Sequence, residues 1–328
     1  MYPSKLQHAD RMIWVAIAAV AGAVLISSAL GSFQIEWASF RKAALVEILL
    51  LSASWFYSAI RKDVPLAEAL MSAAQIIAFA SVAAPLSYVA ASAAFPLWDI
   101  DLAALDHRLG LDWMAWLAAM NAAPLLHTIL AGAYASFAVQ TTAIVVVLAA
   151  AGHALRLRIF ILSFVLLTLV TIAVSTVMPA QGVWGYLHLS ALDSPAIAPI
   201  TRDLPLPVFF GLRDGSFRHL VAEGAEGIIS FPSLHAALGL LFIFALWPVR
   251  FIGWISVLLN TAMIAATPVD GSHYFSDVAA GLAIAALSWI AVSRVFTRTG
   301  SVRPSWLTAK PGGGLETANM AERVSAKK

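Results

Sequence analysis

Two histidines stand where imidazoles can do chemistry: His235, within Phe231-Pro-Ser-Leu-His235, and His273, within Gly271-Ser-His-Tyr-Phe-Ser-Asp277. His273 and Asp277 are four residues apart, so on a helix the carboxylate is a neighbour of the ring. A carboxylate there can accept the proton of one ring nitrogen, fix the tautomer and support a cationic ring, which leaves the other nitrogen as a nucleophile. The same spacing also suits a polar pair that only caps a helix. The other six of the eight histidines have ordinary settings. His8 is in a terminal segment, His107 in an interfacial one, His153 in a basic loop, and His188 and His219 in a long loop. His127, near the start of an apolar run, is expected to be packed and hydrogen-bonded.

Groups that could hold phosphate lie in the same stretches. Ser233 and Ser272 are plausible helix caps, and free backbone N–H groups at a helix start bind phosphate. Arg213, in Leu212-Arg-Asp-Gly215, offers a guanidinium fork that donates two parallel hydrogen bonds, with Arg202 and Arg218 as substitutes. Together these parts make a phosphoryl-transfer site, where positioning and electrostatic stabilisation do most of the work. The chain has no cysteine, which removes thiolate nucleophiles, disulfides and Cys-ligated metals. Neither a metal nor an organic cofactor is required by this chemistry.

The elements that must position these residues are read from hydropathy. Of 328 residues, 61% are hydrophobic and 12% charged, which excludes a soluble domain and a disordered chain alike. Long continuous apolar runs exclude a transmembrane β-barrel. The expectation is an all-α, polytopic transmembrane helix bundle of about eight spans: 12–30, 43–60, 66–91, 125–150, 158–178, 233–249, 251–268 and 275–296. Residues 98–112, with Asp99, Asp101, Asp106 and Asp112 among leucines, read as an interfacial amphipathic segment. Three regions follow: N-terminal spans and the interfacial segment at 1–112, a catalytic transmembrane core at 113–298, and a disordered tail at 299–328.

Alternating the spans from a cytoplasmic N-terminus puts fourteen of the 20 Lys and Arg residues on the cytoplasmic side. The positive-inside rule then places both termini in the cytoplasm and residues 179–232 and 269–274 on the extracytoplasmic face. The 38 residues from His235 to His273 amount to two short spans, with Arg250 at the cytoplasmic turn. Each leg rises about 25 Å, so the hairpin returns both imidazoles to one face.

FPSLHAA, followed by SHYFSDVAAG, resembles the second and third signature motifs of the type 2 phosphatidic acid phosphatase superfamily. The resemblance is closest to its inositol phosphorylceramide synthase-like branch and bacterial relatives. It implies a six-helix phosphatase-like core, lipid metabolism at a bacterial inner membrane, and a two-step reaction through a phosphohistidine. On matching positions His273 is the nucleophile, Asp277 its orienting partner, and His235 the acid that protonates the leaving alkoxide and then the base that activates the acceptor. Pro232 and Ser233 match the second motif, and Met178-Pro-Ala-Gln-Gly-Val-Trp-Gly185 resembles a proline-rich segment of the branch. The superfamily's first motif is absent, Thr267 stands where an Arg is expected, and Leu234 replaces a Gly. The expected partners are a phospholipid or lipid phosphate and the bilayer, with no nucleic acid. The alternative is a membrane transporter, with Glu47, Asn121, Gln140 and Asn260 as its polar candidates, or a non-catalytic scaffold.

Overall fold

The structure, a computed structural model, describes residues 2–31, 34–201, 206–222 and 227–298, so the expected tail and Arg202 lie outside the described residues. Thirteen α-helices are described: α1 (Tyr2–Leu30), α2 (Arg41–Ala59), α3 (Val64–Ser92), α4 (Asp99–Arg108), α5 (Trp113–Ala122), α6 (Pro124–Ala135), α7 (Phe137–Ala150), α8 (Ala154–Val177), α9 (Val183–Tyr186), α10 (Leu206–Asp214), α11 (Leu234–Leu246), α12 (Arg250–Asp270) and α13 (Phe275–Arg298). β1 (Gln34–Ile35) pairs in parallel with β2 (His219–Leu220) and ties the connection after α1 to the one before α11.

Six helices among the described residues are long and apolar enough to cross a membrane: α1, α2 with the 3-10 turn before it, α3, α8, α12 and α13. Helices satisfy their own backbone polar groups, which hydrocarbon cannot do. The protein is an integral membrane helix bundle. Two of the eight expected spans take another form. Residues 125–150 divide at Ser136 into α6 and α7, and 233–249 yields the 13-residue α11. At 1.5 Å per residue α11 is only about 20 Å long, whereas α12 is about 32 Å, so the hairpin has unequal legs. α5 and α6 meet at a 110° bend, with Pro124 starting α6.

The N-terminal spans belong to the same bundle. Ala9, Ile13, Ile17, Val20 and Val24 form a buried stripe on α1, which packs on α3 and α8. α2 packs chiefly on α3 and turns Leu45, Ile48, Leu49 and Trp55 outward, the face that lipid would cover. A polar cross-link joins three of these helices. Arg158 of α8 is 2% exposed; its Nε donates to Asp10 Oδ1 at 2.7 Å, its Nη1 to Ser72 Oγ at 2.8 Å, and it pairs with Glu68. Gln75 Nε2 donates to the same Asp10 oxygen at 2.7 Å.

Removing a buried cation strands its carboxylates, typically at about 3–5 kcal/mol; because Asp10 and Glu68 keep some exposure, the cost here falls toward the lower end. Arg158→Ala should therefore lower the thermal unfolding temperature of the detergent-purified protein by several degrees. An unchanged melting curve would show that the cluster does not hold α1 to the bundle.

Candidate active site

The two histidine-bearing stretches meet where α11 begins. The Ser233 N–H donates to the Asp277 backbone carbonyl at 3.2 Å, and Ser233 Oγ caps α11 by accepting from Ala236 N at 3.3 Å. Gly281, one turn further along α13, makes this approach possible: a Cβ there would lie 2.2 Å from the Ser233 carbonyl oxygen. α11 thus starts below the mouth of α13.

His273 occupies the turn between α12 and α13. Its Nδ1 lies 3.3 Å from Asp277 Oδ2, which also accepts the Tyr274 N–H at 3.1 Å. Asp277 is fully buried and His273 3% exposed; Asp277 Oδ1 has no hydrogen-bond partner among the described residues. Burial pushes the His273 imidazole down to about 4, opposed by a hydrogen bond to the Ser230 backbone, so the ring is neutral near pH 7.

His235, in the first turn of α11, is partly exposed and sits close enough to His273 for a charge on one ring to be felt by the other. Its Nδ1 is 3.1 Å from the Tyr134 hydroxyl; the Tyr134 ring stacks on it at 4.1 Å and Phe137 meets it edge-on at 5.0 Å. The N–H groups of Leu234 and His235 have no hydrogen-bond partner among the described residues.

Ser272 is placed otherwise than expected. α13 begins at Phe275, so Ser272 does not cap it; its backbone is left-handed (φ 58°) and its Oγ accepts the Trp184 N–H at 3.1 Å. The helix start is capped instead by Asp106 of α4, whose two oxygens accept Phe275 N at 2.7 Å and Ser276 N at 2.9 Å. That carboxylate fills the anion position at the start of α13. Arg213, at the end of α10, donates from Nη2 to the Phe95 carbonyl at 2.7 Å and lies over the Phe209 ring, while its buried Nη1 has no partner among the described residues.

A second strand of chain braces the His273 turn. In residues 178–185 the Val183 N–H donates to the Ser272 carbonyl at 3.0 Å, and Trp184 Nε1 donates to the Val269 carbonyl at 2.9 Å. Gly182 has φ 87°, and a Cβ there would lie 2.6 Å from Ser272 O, so the close pass needs glycine. Asp99 of α4 joins this strap to the turn: it accepts from Gln181 N, Gly182 N and the Tyr274 hydroxyl at 3.0–3.2 Å. Burial raises the Asp99 carboxyl above the usual carboxylate range, and those donors oppose the shift. Neither Asp99 nor Asp106 was assigned a role from sequence. Their signal is the buried stripe Asp99, Leu102, Asp106 at helical spacing.

His127 is packed as expected, its Nε2 3.2 Å from Asp270 Oδ1. Three of the polar candidates for transport are engaged structurally: Asn260 Nδ2 donates to Gln140 Oε1 at 2.9 Å, and Asn121 Oδ1 accepts from Ala196 N at 2.9 Å; the buried carboxyl oxygens of Glu47 have no hydrogen-bond partner among the described residues. No cluster of three or more His, Asp or Glu side chains suited to a metal occurs among the described residues.

Gly281→Ala should push the start of α11 away from α13 and lower turnover of a phosphate ester by at least about tenfold, one factor of ten being 1.4 kcal/mol of lost positioning. Retained activity in a folded Gly281→Ala protein would mean that the close contact is unimportant for the site.

Residues 100–291, more than half of the chain, match the family model described as the PAP2 superfamily. No curated protein and no solved structure matches the chain. The matched region runs from α4 to α13 and so takes in both histidine motifs, the strap and Asp106, with Asp99 just before its start. On that match the chain belongs to the PAP2 superfamily, whose members are generally phosphatases or phosphotransferases acting on phosphate esters.

Proposed function

We propose that this protein is a lipid phosphatase or headgroup phosphotransferase of the inositol phosphorylceramide synthase-like branch, working through a phosphohistidine at the extracytoplasmic face. The observation that carries the reading is the junction at Asp277, whose side chain holds the His273 ring while its backbone carbonyl holds the start of the His235 helix.

The reaction follows from the roles these groups can fill. The Nε2 nitrogen of His273, turned away from Asp277, attacks phosphorus, the bond to the leaving oxygen breaks, and His235 gives that oxygen a proton. Asp277 stabilises the cationic ring of the phosphohistidine. In the second half His235 takes a proton from water or an alcohol, the new oxygen–phosphorus bond forms and His273 is released. The free N–H groups of Leu234 and His235, capped by Ser233, and the free Nη1 of Arg213 are the donors available to phosphate oxygens. Ser272 serves this site by holding the strap through Trp184. Water and alcohol differ only in the second half, so one set of residues supports hydrolysis and transfer.

Sidedness rests on charge. Arg156 and Arg250 lie at the end of the bundle opposite the site, with Arg156 donating to the Ala245 carbonyl at 2.8 Å. The positive-inside rule puts that end, with both termini, in the cytoplasm of a bacterial inner membrane.

Detergent-purified protein incubated with radiolabelled phospholipids and lipid phosphates, with and without candidate alcohols, should release phosphate or move a headgroup. Denaturation at alkaline pH should trap a phosphoenzyme whose label is stable in base and lost in acid. His273→Ala should abolish both. Label that survives acid, or an active His273→Ala protein, contradicts the phosphohistidine.

A further inference from the structure

The two histidines have chemically different partners. His273 is paired with a carboxylate, whereas His235 Nδ1 is paired with the neutral hydroxyl of Tyr134 at 3.1 Å. A carboxylate favours the cationic ring in every step, which suits a nitrogen that must carry phosphorus. It would hinder an acid that has to release its proton and a base that has to start neutral. A phenolic oxygen can accept from Nδ1–H both in the imidazolium and in the neutral ring left when the Nε2 proton has gone.

We propose that Tyr134 is the positioning residue for His235, its hydroxyl holding Nδ1 so that Nε2 alone exchanges protons in both halves of the reaction. The inference rests on His235 being the acid and base of the proposed function. In the first half the Nε2 proton moves to the leaving oxygen as its bond to phosphorus breaks and the His273 nitrogen–phosphorus bond forms. In the second, the acceptor O–H proton moves to Nε2 as the oxygen–phosphorus bond forms and the nitrogen–phosphorus bond breaks. Nδ1 keeps its proton throughout.

Three contacts fix this arrangement. The Tyr134 ring stacks on His235 at 4.1 Å and 19°, and Phe137 packs edge-on at 5.0 Å and 80°, so the imidazole is confined between two aromatic rings. The Asp270 carboxylate is close enough to act on Tyr134, and its buried Oδ2 has no hydrogen-bond partner among the described residues. Nε2 has no partner among the described residues, so it is the nitrogen left for substrate.

The test uses leaving-group dependence, which a merely structural role would not move. Full-length Tyr134→Phe, which keeps the stacked ring, is compared with wild type and His235→Ala. The probes are p-nitrophenyl phosphate and p-nitrophenyl phosphorylcholine, with good leaving groups, and dioctanoyl phosphatidic acid and dioctanoyl phosphatidylglycerol, with poor ones. Tyr134→Phe should lower kcat/KM, which reports the first half of the reaction alone, by about 10–100-fold for the lipids and by less than about threefold for the nitrophenyl substrates. Fluorotyrosine at position 134, a weaker acceptor of the same shape, should shift kcat/KM in the same direction by a smaller factor. Equal losses on both substrate types, or no loss, would overturn the role of Tyr134 provided that His235→Ala does discriminate. A His235→Ala protein that shows no leaving-group dependence would overturn the acid–base assignment of His235 itself, and the Tyr134 proposal with it.

Discussion

A buried carboxylate and its own peptide carbonyl form the joint on which the site depends. Asp277 Oδ2 sits against the His273 ring and the Tyr274 N–H, and Asp277 O receives the Ser233 N–H two residues before His235. One residue therefore fixes the orientation of one imidazole and the location of the other. This is possible only because Gly281 lets the backbone of α11 lie against α13 without an intervening side chain. Desolvating a carboxylate is costly unless it is paired and hydrogen-bonded, so the joint must be braced from outside.

The brace comes from α4 and the strap at 178–185. Asp106 satisfies the first N–H groups of α13, which removes the orphan donors of a buried helix end and adds a favourable charge at its positive pole. Asp99 ties the strap to Tyr274, whose phenol is raised above its ordinary range by burial and by the Asp99 charge and so stays a neutral donor. Three buried carboxyl groups thus surround the His273 turn. Burial keeps the resting His273 ring neutral.

Much of the scaffold was legible because it is local. Continuous apolar runs specify the six long helices, and the 38 residues between the histidines imply a hairpin that returns to one end. The exceptions have physical reasons. α11 begins where its first turn docks on Asp277 and Gly281, below the mouth of α13, and 125–150 breaks at Ser136, whose hydroxyl turns back to the Ala133 carbonyl. Ser272 looked like a cap because serine before a helix usually is one, yet the cap is an aspartate 169 residues away. Tyr134 is likewise 101 residues from the ring it contacts. Contacts of that separation leave no local periodicity, and the aspartates of 98–112 read only as an interfacial segment although Asp99 and Asp106 are buried.

The account's central claim is that both imidazoles flank one phosphorus centre. An experimental structure of the protein with orthovanadate, which adopts the five-coordinate geometry of phosphoryl transfer, tests it directly. Vanadium should bond to Nε2 of His273, with the opposite apical oxygen within hydrogen-bond reach of His235 Nε2. Vanadate bound away from His273, or rings opening into separate cavities, would contradict it.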